Sequence, residues 1–146
     1  MKTFRAIILL VLTIGCSKQE TGWKTYGFAG LELDIDVQAA RIKPTEGSLE
    51  VCDSPASRNP SCFTIDRHNI PALQTSSTRT RTLGTASILF LTSVHSGGSG
   101  GEEAKLRGVL TVGNQRFGLT CHAQKEWSHS PSNNWPEWCL ERFRFK

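Results

Sequence analysis

Apolar and polar positions alternate along much of this chain with a period of two. Residues 31–37 run Leu-Glu-Leu-Asp-Ile-Asp-Val, a strict alternation that predicts a strand with one buried face and one face carrying Glu32, Asp34 and Asp36. Residues 48–52 and 62–66 read as short strands, joined by a turn-rich loop over residues 53–61 with two prolines. Residues 86–94, rich in branched side chains, predict a strand buried on both faces. Residues 105–112 and 115–123 flank Gly113-Asn114, a pair that tolerates positive φ and so suits a primed hairpin turn. The tail, residues 138–145, alternates as a last strand, or Trp135-Pro136-Glu137 opens a helical turn with proline at its start. No long amphipathic pattern of period 3.6 is present. The expected class is therefore all-β for the most part, a single-domain antiparallel sandwich or curled sheet.

One stretch breaks the alternation. Lys2 and Arg5 precede an apolar run, residues 6–12, too short to cross a bilayer, and the run gives way at Gly15-Cys16 to polar residues. This looks like a bacterial lipobox, in which the cysteine is acylated and becomes the first residue of the mature chain, although Thr13 stands where leucine is usual. The expected organisation is a signal peptide over residues 1–15, a lipidated tether over 16–21 and a β-rich domain over 22–146. Ser17 is not the aspartate that retains such proteins in the inner membrane. The expected address is the periplasm, anchored to the outer membrane by lipid.

The five cysteines support that address. Assigning Cys16 to lipid leaves Cys52, Cys62, Cys121 and Cys139, which allow three pairings. The sequence-local couples, Cys52 with Cys62 and Cys121 with Cys139, require only short loops to close, and neither has the C-x-x-C spacing of a zinc or redox site. Structural disulfides are expected, and they persist in the periplasm. Charge adds little. Without Lys2 and Arg5 the chain has 15 basic and 13 acidic side chains, a balance that gives no argument for nucleic acid.

Catalytic chemistry finds no support in the spacing. Gly97-Gly98-Ser99-Gly100-Gly101 is a literal G-x-S-x-G, but the nucleophile elbow needs a following helix and a Ser-acid-His order, and this one runs into a strand pattern. His68, His95, His122 and His129 show no metal-binding spacing, so no metal or cofactor is expected. The acidic stripe of residues 31–37 is either a solvated face or a contact surface for a basic partner. Residues 126–138 carry three of the four tryptophans among turn residues, and tryptophan dominates interface hot spots.

The lipobox-type leader, the small β-rich domain beginning near Thr21-Gly22-Trp23, the two cysteine couples and the loops without a catalytic set together resemble a periplasmic immunity lipoprotein of type VI secretion. More narrowly, they resemble the kind that neutralises a peptidoglycan-cleaving muramidase effector. The resemblance implies a non-enzymatic protein whose loops enter the effector's glycan groove, with calcium, in that enzyme class, held on the effector's side. Under that resemblance the expected contact segments are residues 94–103, 126–135 and 53–61, with His95, Ser96, Gly97, Ser99, Glu126 and His129 as polar tips and Trp127 or Trp135 as anchor. Two other readings fit the same residues, an inhibitor of host lysozyme and a structural envelope lipoprotein.

Overall fold

In a computed structural model the described residues, 22–36, 41–52, 61–97, 101–126 and 135–146, form two antiparallel sheets. The first has three strands in the order β1 (Trp23–Phe28), β2 (Leu31–Asp36) and β10 (Phe143–Phe145). The second has seven, ordered β3 (Arg41–Pro44), β4 (Ser48–Cys52), β5 (Cys62–Asp66), β9 (Gln115–Glu126), β8 (Gly101–Val112), β7 (Ala86–Gly97) and β6 (Arg79–Leu83). Helix is limited, among the described residues, to two short 3₁₀ segments, Thr75–Ser77 and Trp135–Glu141. The expected all-β architecture and both local disulfides, Cys52–Cys62 and Cys121–Cys139, are present.

The apolar phase of each strand builds the core between the sheets. Leu33 and Ile35 of β2 face Leu49, Ile65, Leu106, Leu110 and Leu119 in one continuous cluster. Phe63, Phe90, Phe117, Phe143 and Phe145 are the largest fully buried side chains. Each such ring contributes about 1.5–3 kcal/mol relative to exposure. Phe63 and Phe143 lie 5.0 Å apart between centroids, and Phe117 stacks with Phe145 at 6.5 Å, so the last strand is held by aromatic contacts across the core.

Turn chemistry sets the registers. Gly113 has φ 59°, and of the two turn residues it alone is left-handed, as in a type II′ turn. That two-residue connection pairs Val112 with Gln115 and, farther along, Lys105 with His122. At the same end of the molecule Gly84, φ 67°, lets the β6–β7 turn press against β10. A Cβ there would collide with the Phe145 carbonyl oxygen, and Thr85 N donates to that oxygen at 3.1 Å. Because β5 pairs with β9 rather than β6, residues 67–78 must cross the sheet. Asp66 Oδ1 starts the crossing by accepting from the His68 and Asn69 amides at 2.7 and 2.9 Å. Gly118 gives the crossing room, since a Cβ there would meet the Asn69 carbonyl.

Two expectations are corrected. Residues 86–94 are not buried on both faces: Ile88 and Phe90 enter the core, while Ser87 and Leu89 are exposed, because the seven-stranded sheet packs a layer against one face only at this strand. The acidic stripe is a solvated face only at Glu32, which is exposed, and its two aspartates already have basic partners within the chain. Asp34 is buried, at 7 %, and the last strand supplies its counter-charges: Arg144 Nε and Lys146 Nζ each lie 3.3 Å from its carboxylate, and Thr25 Oγ1 donates to it at 2.7 Å. Asp36 accepts from Arg142 at 3.0 Å. The Thr25 hydroxyl, and after it Lys146 and Arg144, hold the Asp34 carboxyl below its ordinary pKa against the opposing effect of burial. Sequence alternation reported the phase of this strand correctly but not its neighbour.

Candidate partner-binding end of the sheet

The registers bring the strand ends that anchor the three nominated segments to one end of the molecule. Cys52 pairs with Arg41 on one side and with Cys62 on the other, and Cys62 pairs with His122, so residues 53–61 connect strands at the end toward which β9 runs. Gly97 pairs with Gly101 and Gly101 with Glu126, so the β7–β8 connection and residues 127–134 leave from that end too. Beyond His122, β9 continues four more residues to Glu126 without a β5 partner, a projection of about 14 Å. A three-stranded ribbon of β7, β8 and β9 therefore extends past the rest of the sheet.

This ribbon refines the expected loops. Residues 94–103 are mostly paired strand, with His95 opposite Glu103 and Ser96 opposite Glu102. The glycines read as a flexible loop are compatible with strand pairing as far as Gly97 and from Gly101, and only residues 98–100 lie between the strands. His95 and Ser96 are exposed, as is Val94 at 46 %. Glu126 ends β9 and Trp135 begins the longer 3₁₀ helix. Ser99, Trp127, His129 and Cys16 lie outside the described residues, as does all of residues 1–21, where the signal peptide and tether are expected.

One face of the ribbon is covered on β8 and β9, although Val94 of β7, in register with Ala104, stays exposed, and the other face is polar. Ala104, Leu106, Cys121 and Ala123 share the covered face, where Cys139 of the 3₁₀ helix bonds Cys121. Trp138 lies edge-on to Phe63 with centroids 6.3 Å apart, and Arg79 on β6 pairs with Glu137. Residues 127–134 thus join two fixed points, the end of β9 and a helix stapled to the middle of that strand. On the polar face Glu103 Oε1 accepts from His122 Nε2 at 2.6 Å and from Lys105 Nζ at 2.9 Å. Lys105 first, and then His122, hold the Glu103 carboxyl below its ordinary pKa. The cluster presents two donor side chains, both partly solvent-facing, on a rigid hairpin.

Sequence reasoning missed this cluster, although its signal was available. Once Gly113-Asn114 is taken as a two-residue turn, Lys105 must face His122 and Glu103 lies diagonally across on the same face. Nothing in the arrangement assembles a nucleophile with a base, and among the described residues no three His, Cys, Asp or Glu side chains converge as metal ligands. What the geometry offers is a stiff, polar, disulfide-framed edge suited to protein recognition.

The family comparison agrees with that offer. The model of the type six secretion immunity 3 domain matches residues 37–144, from just before β3 into β10. A search of curated proteins returned no match to the chain. With 108 of its 146 residues matched, the chain belongs to the type six secretion immunity 3 domain family.

Proposed function

We propose that this immunity protein is a lipoprotein of the periplasm that binds a peptidoglycan-cleaving muramidase effector and blocks its glycan groove with the projecting end of the seven-stranded sheet. Immunity in type VI secretion implies a partner effector toxin. The single observation that supports the finer reading is that the strand ends anchoring the three nominated segments lie at one end of the fold. A groove that holds a sugar polymer is long and polar, so a plug for it needs protruding polar tips on a stiff frame. His95, Ser96, Gly97 and Lys105 occupy such a frame, and Ser99, Glu126, Trp127, His129 and Trp135 belong to the segments that continue from it.

The physical terms favour tight binding. Two disulfides bracket two of the three segments, which lowers the entropy lost on association. An interface of ordinary size, on the order of 1,600 Å², would cover this end. Acylation of Cys16 would hold the domain where an incoming toxin meets the cell wall and raise its effective concentration there. The protein needs no cofactor in this scheme, and any calcium would belong to the effector. It acts by occupancy and is not an enzyme.

The testing experiment expresses the effector in the periplasm of a susceptible cell with and without this protein. Survival with the wild-type chain, lost on Lys105→Glu together with His95→Ala, supports the reading. Survival unchanged by those substitutions, or equal lysis with and without the protein, overturns it. Inhibition of an animal lysozyme instead of the effector in a turbidity assay would move the protein to the host-lysozyme reading.

A further inference from the structure

Trp23 is the first residue of β1 and pairs with Asp36, the last of β2. Only four residues separate Asp36 from Arg41, which sits at the binding end of β3, and the Asp36 amide bonds the Arg142 carbonyl just after the stapled 3₁₀ helix. Trp23 therefore stands at the same end of the molecule as the ribbon, but on the outer face of the small sheet. It is 43 % exposed, one of only four large apolar side chains so exposed among the described residues. An exposed indole on a strand edge contributes nothing to the core.

The indole is held in place by its neighbours. The Arg144 guanidinium lies 4.6 Å from the Trp23 ring centre, and its Nε donates to the buried Asp34 carboxylate at 3.3 Å. Asp34 is fixed in turn by Thr25 and Lys146. The chain of contacts immobilises a tryptophan and an arginine before any partner arrives, which reduces the ordering lost on binding. Arg144 is half exposed, and its two terminal amino groups have no hydrogen-bond partner among the described residues. On a half-exposed side chain these two groups are the pair with which a guanidinium takes a carboxylate on two parallel bonds. Tryptophan and arginine are also the side chains most enriched among residues that dominate binding energy.

We infer that Trp23 and Arg144 form a second, preorganised contact point for the effector protein, the indole entering an apolar pocket and the guanidinium pairing with an acidic side chain beside that pocket. The inference rests on the proposed function and extends its contact surface from the ribbon onto the small sheet. Trp23 precedes the family-matched segment and Arg144 is its last residue, so the pair joins a position outside that segment to one inside it.

The test measures effector binding by calorimetry with four versions of the lipid-free protein: wild type, Trp23→Ala, Arg144→Lys and Lys105→Glu. Trp23→Ala is expected to weaken binding roughly 30-fold, the loss typical of a hot spot, with an unchanged melting temperature. Arg144→Lys keeps the charge but loses the paired donors, and is expected to weaken binding by a smaller factor. If wild type binds, Lys105→Glu weakens it and Trp23→Ala binds like wild type, this inference fails while the proposed function stands. If wild type does not bind the effector, both fail. Equal loss of melting temperature and affinity in Trp23→Ala would assign the ring to stability and overturn the inference. So would co-sedimentation of wild type, but not Trp23→Ala, with phosphatidylglycerol–phosphatidylethanolamine vesicles, since the ring would then be a membrane contact.

Discussion

Removing the Cys121–Cys139 bridge is expected to damage the fold and the binding end together. The perturbation is the double substitution Cys121→Ala with Cys139→Ala. The two cysteines are 18 residues apart, and closing a loop of that length in the unfolded chain corresponds to about 3 kcal/mol in the chain-entropy model. Both side chains are essentially inaccessible, at 1 % and 0 %, so the lost sulfurs leave a small void worth about 1 kcal/mol more. A domain spanning residues 22–146 unfolds with an entropy near 0.26 kcal/mol per kelvin, so a loss of about 4 kcal/mol lowers the melting temperature by about 15 °C. Thermal melts followed by circular dichroism read this directly. The consequence for binding is specific, because the bridge is the covalent tie between β9 and the helix that receives residues 127–134. Effector affinity should fall at temperatures well below the new melting point. A melting temperature within about 3 °C of wild type, or full affinity in the variant, would refute the assignment of this bridge as the staple of both core and binding segment.

Three further outcomes follow from the same contacts. Gly84→Ala places a Cβ against the Phe145 carbonyl and in a left-handed backbone, so urea denaturation should show a loss of at least about 2 kcal/mol; an unchanged midpoint would mean β10 does not press on that turn. Asp34 and Glu103 have carboxyl pKa values below those of the unfolded chain, so their stabilisation is complete above about pH 5 and is lost as pH falls through the lower folded values. Acid titration of Asp34→Asn should accordingly show a shallower decline in that range, and an identical slope would remove the ion-pair account of the acidic stripe. Cys16→Ala should abolish palmitate incorporation and release the protein from membranes, measured by metabolic labelling and fractionation; continued membrane association would show that something other than acylation anchors it.

How much of this was legible in the sequence depends on how cleanly a strand alternates against a buried layer, as the edge strand β10 does with Phe143 and Phe145 buried on either side of Arg144. The interior strands β4 and β5 appear with their expected bounds, and the β8–β9 hairpin appears around its glycine turn, because each alternates cleanly against a buried layer. The strands with no counterpart in the sequence pattern are β1, β3 and β6, and all three are sheet edges. Edge strands expose more of both faces and carry charged or polar residues that discourage edge-to-edge pairing, so Lys24, Arg41, Lys43, Arg79 and Arg81 obscure the period of two. The acidic stripe shows a different limit. Alternation states which side of β2 faces outward, but the pairing of Asp34 with Arg144 spans 110 residues and is a property of the sheet order.

The same distinction applies to the candidate site. Residues 53–61, 94–103 and 126–135 were marked one by one, from their turn residues and tryptophans taken with the family resemblance. Their convergence depends on β5 pairing with β9 across a crossing segment, which no local signal contains. The polar cluster of Glu103, Lys105 and His122 lies between these extremes, since it follows from a single hairpin register. Trp23 was visible only as the start of the domain. Its partner Arg144 comes from the far end of the chain.

If this domain silences a peptidoglycan-cleaving effector by occupying its groove, the two react in fixed proportion. The most direct measurement titrates the purified lipid-free protein against a purified muramidase effector of type VI secretion, with the clearing of a peptidoglycan suspension as readout. Clearing is expected to stop at one molecule of this protein per hydrolase, and Lys105→Glu to shift the end point to a large excess. Clearing that continues unchanged at a tenfold molar excess of the wild-type protein would contradict it.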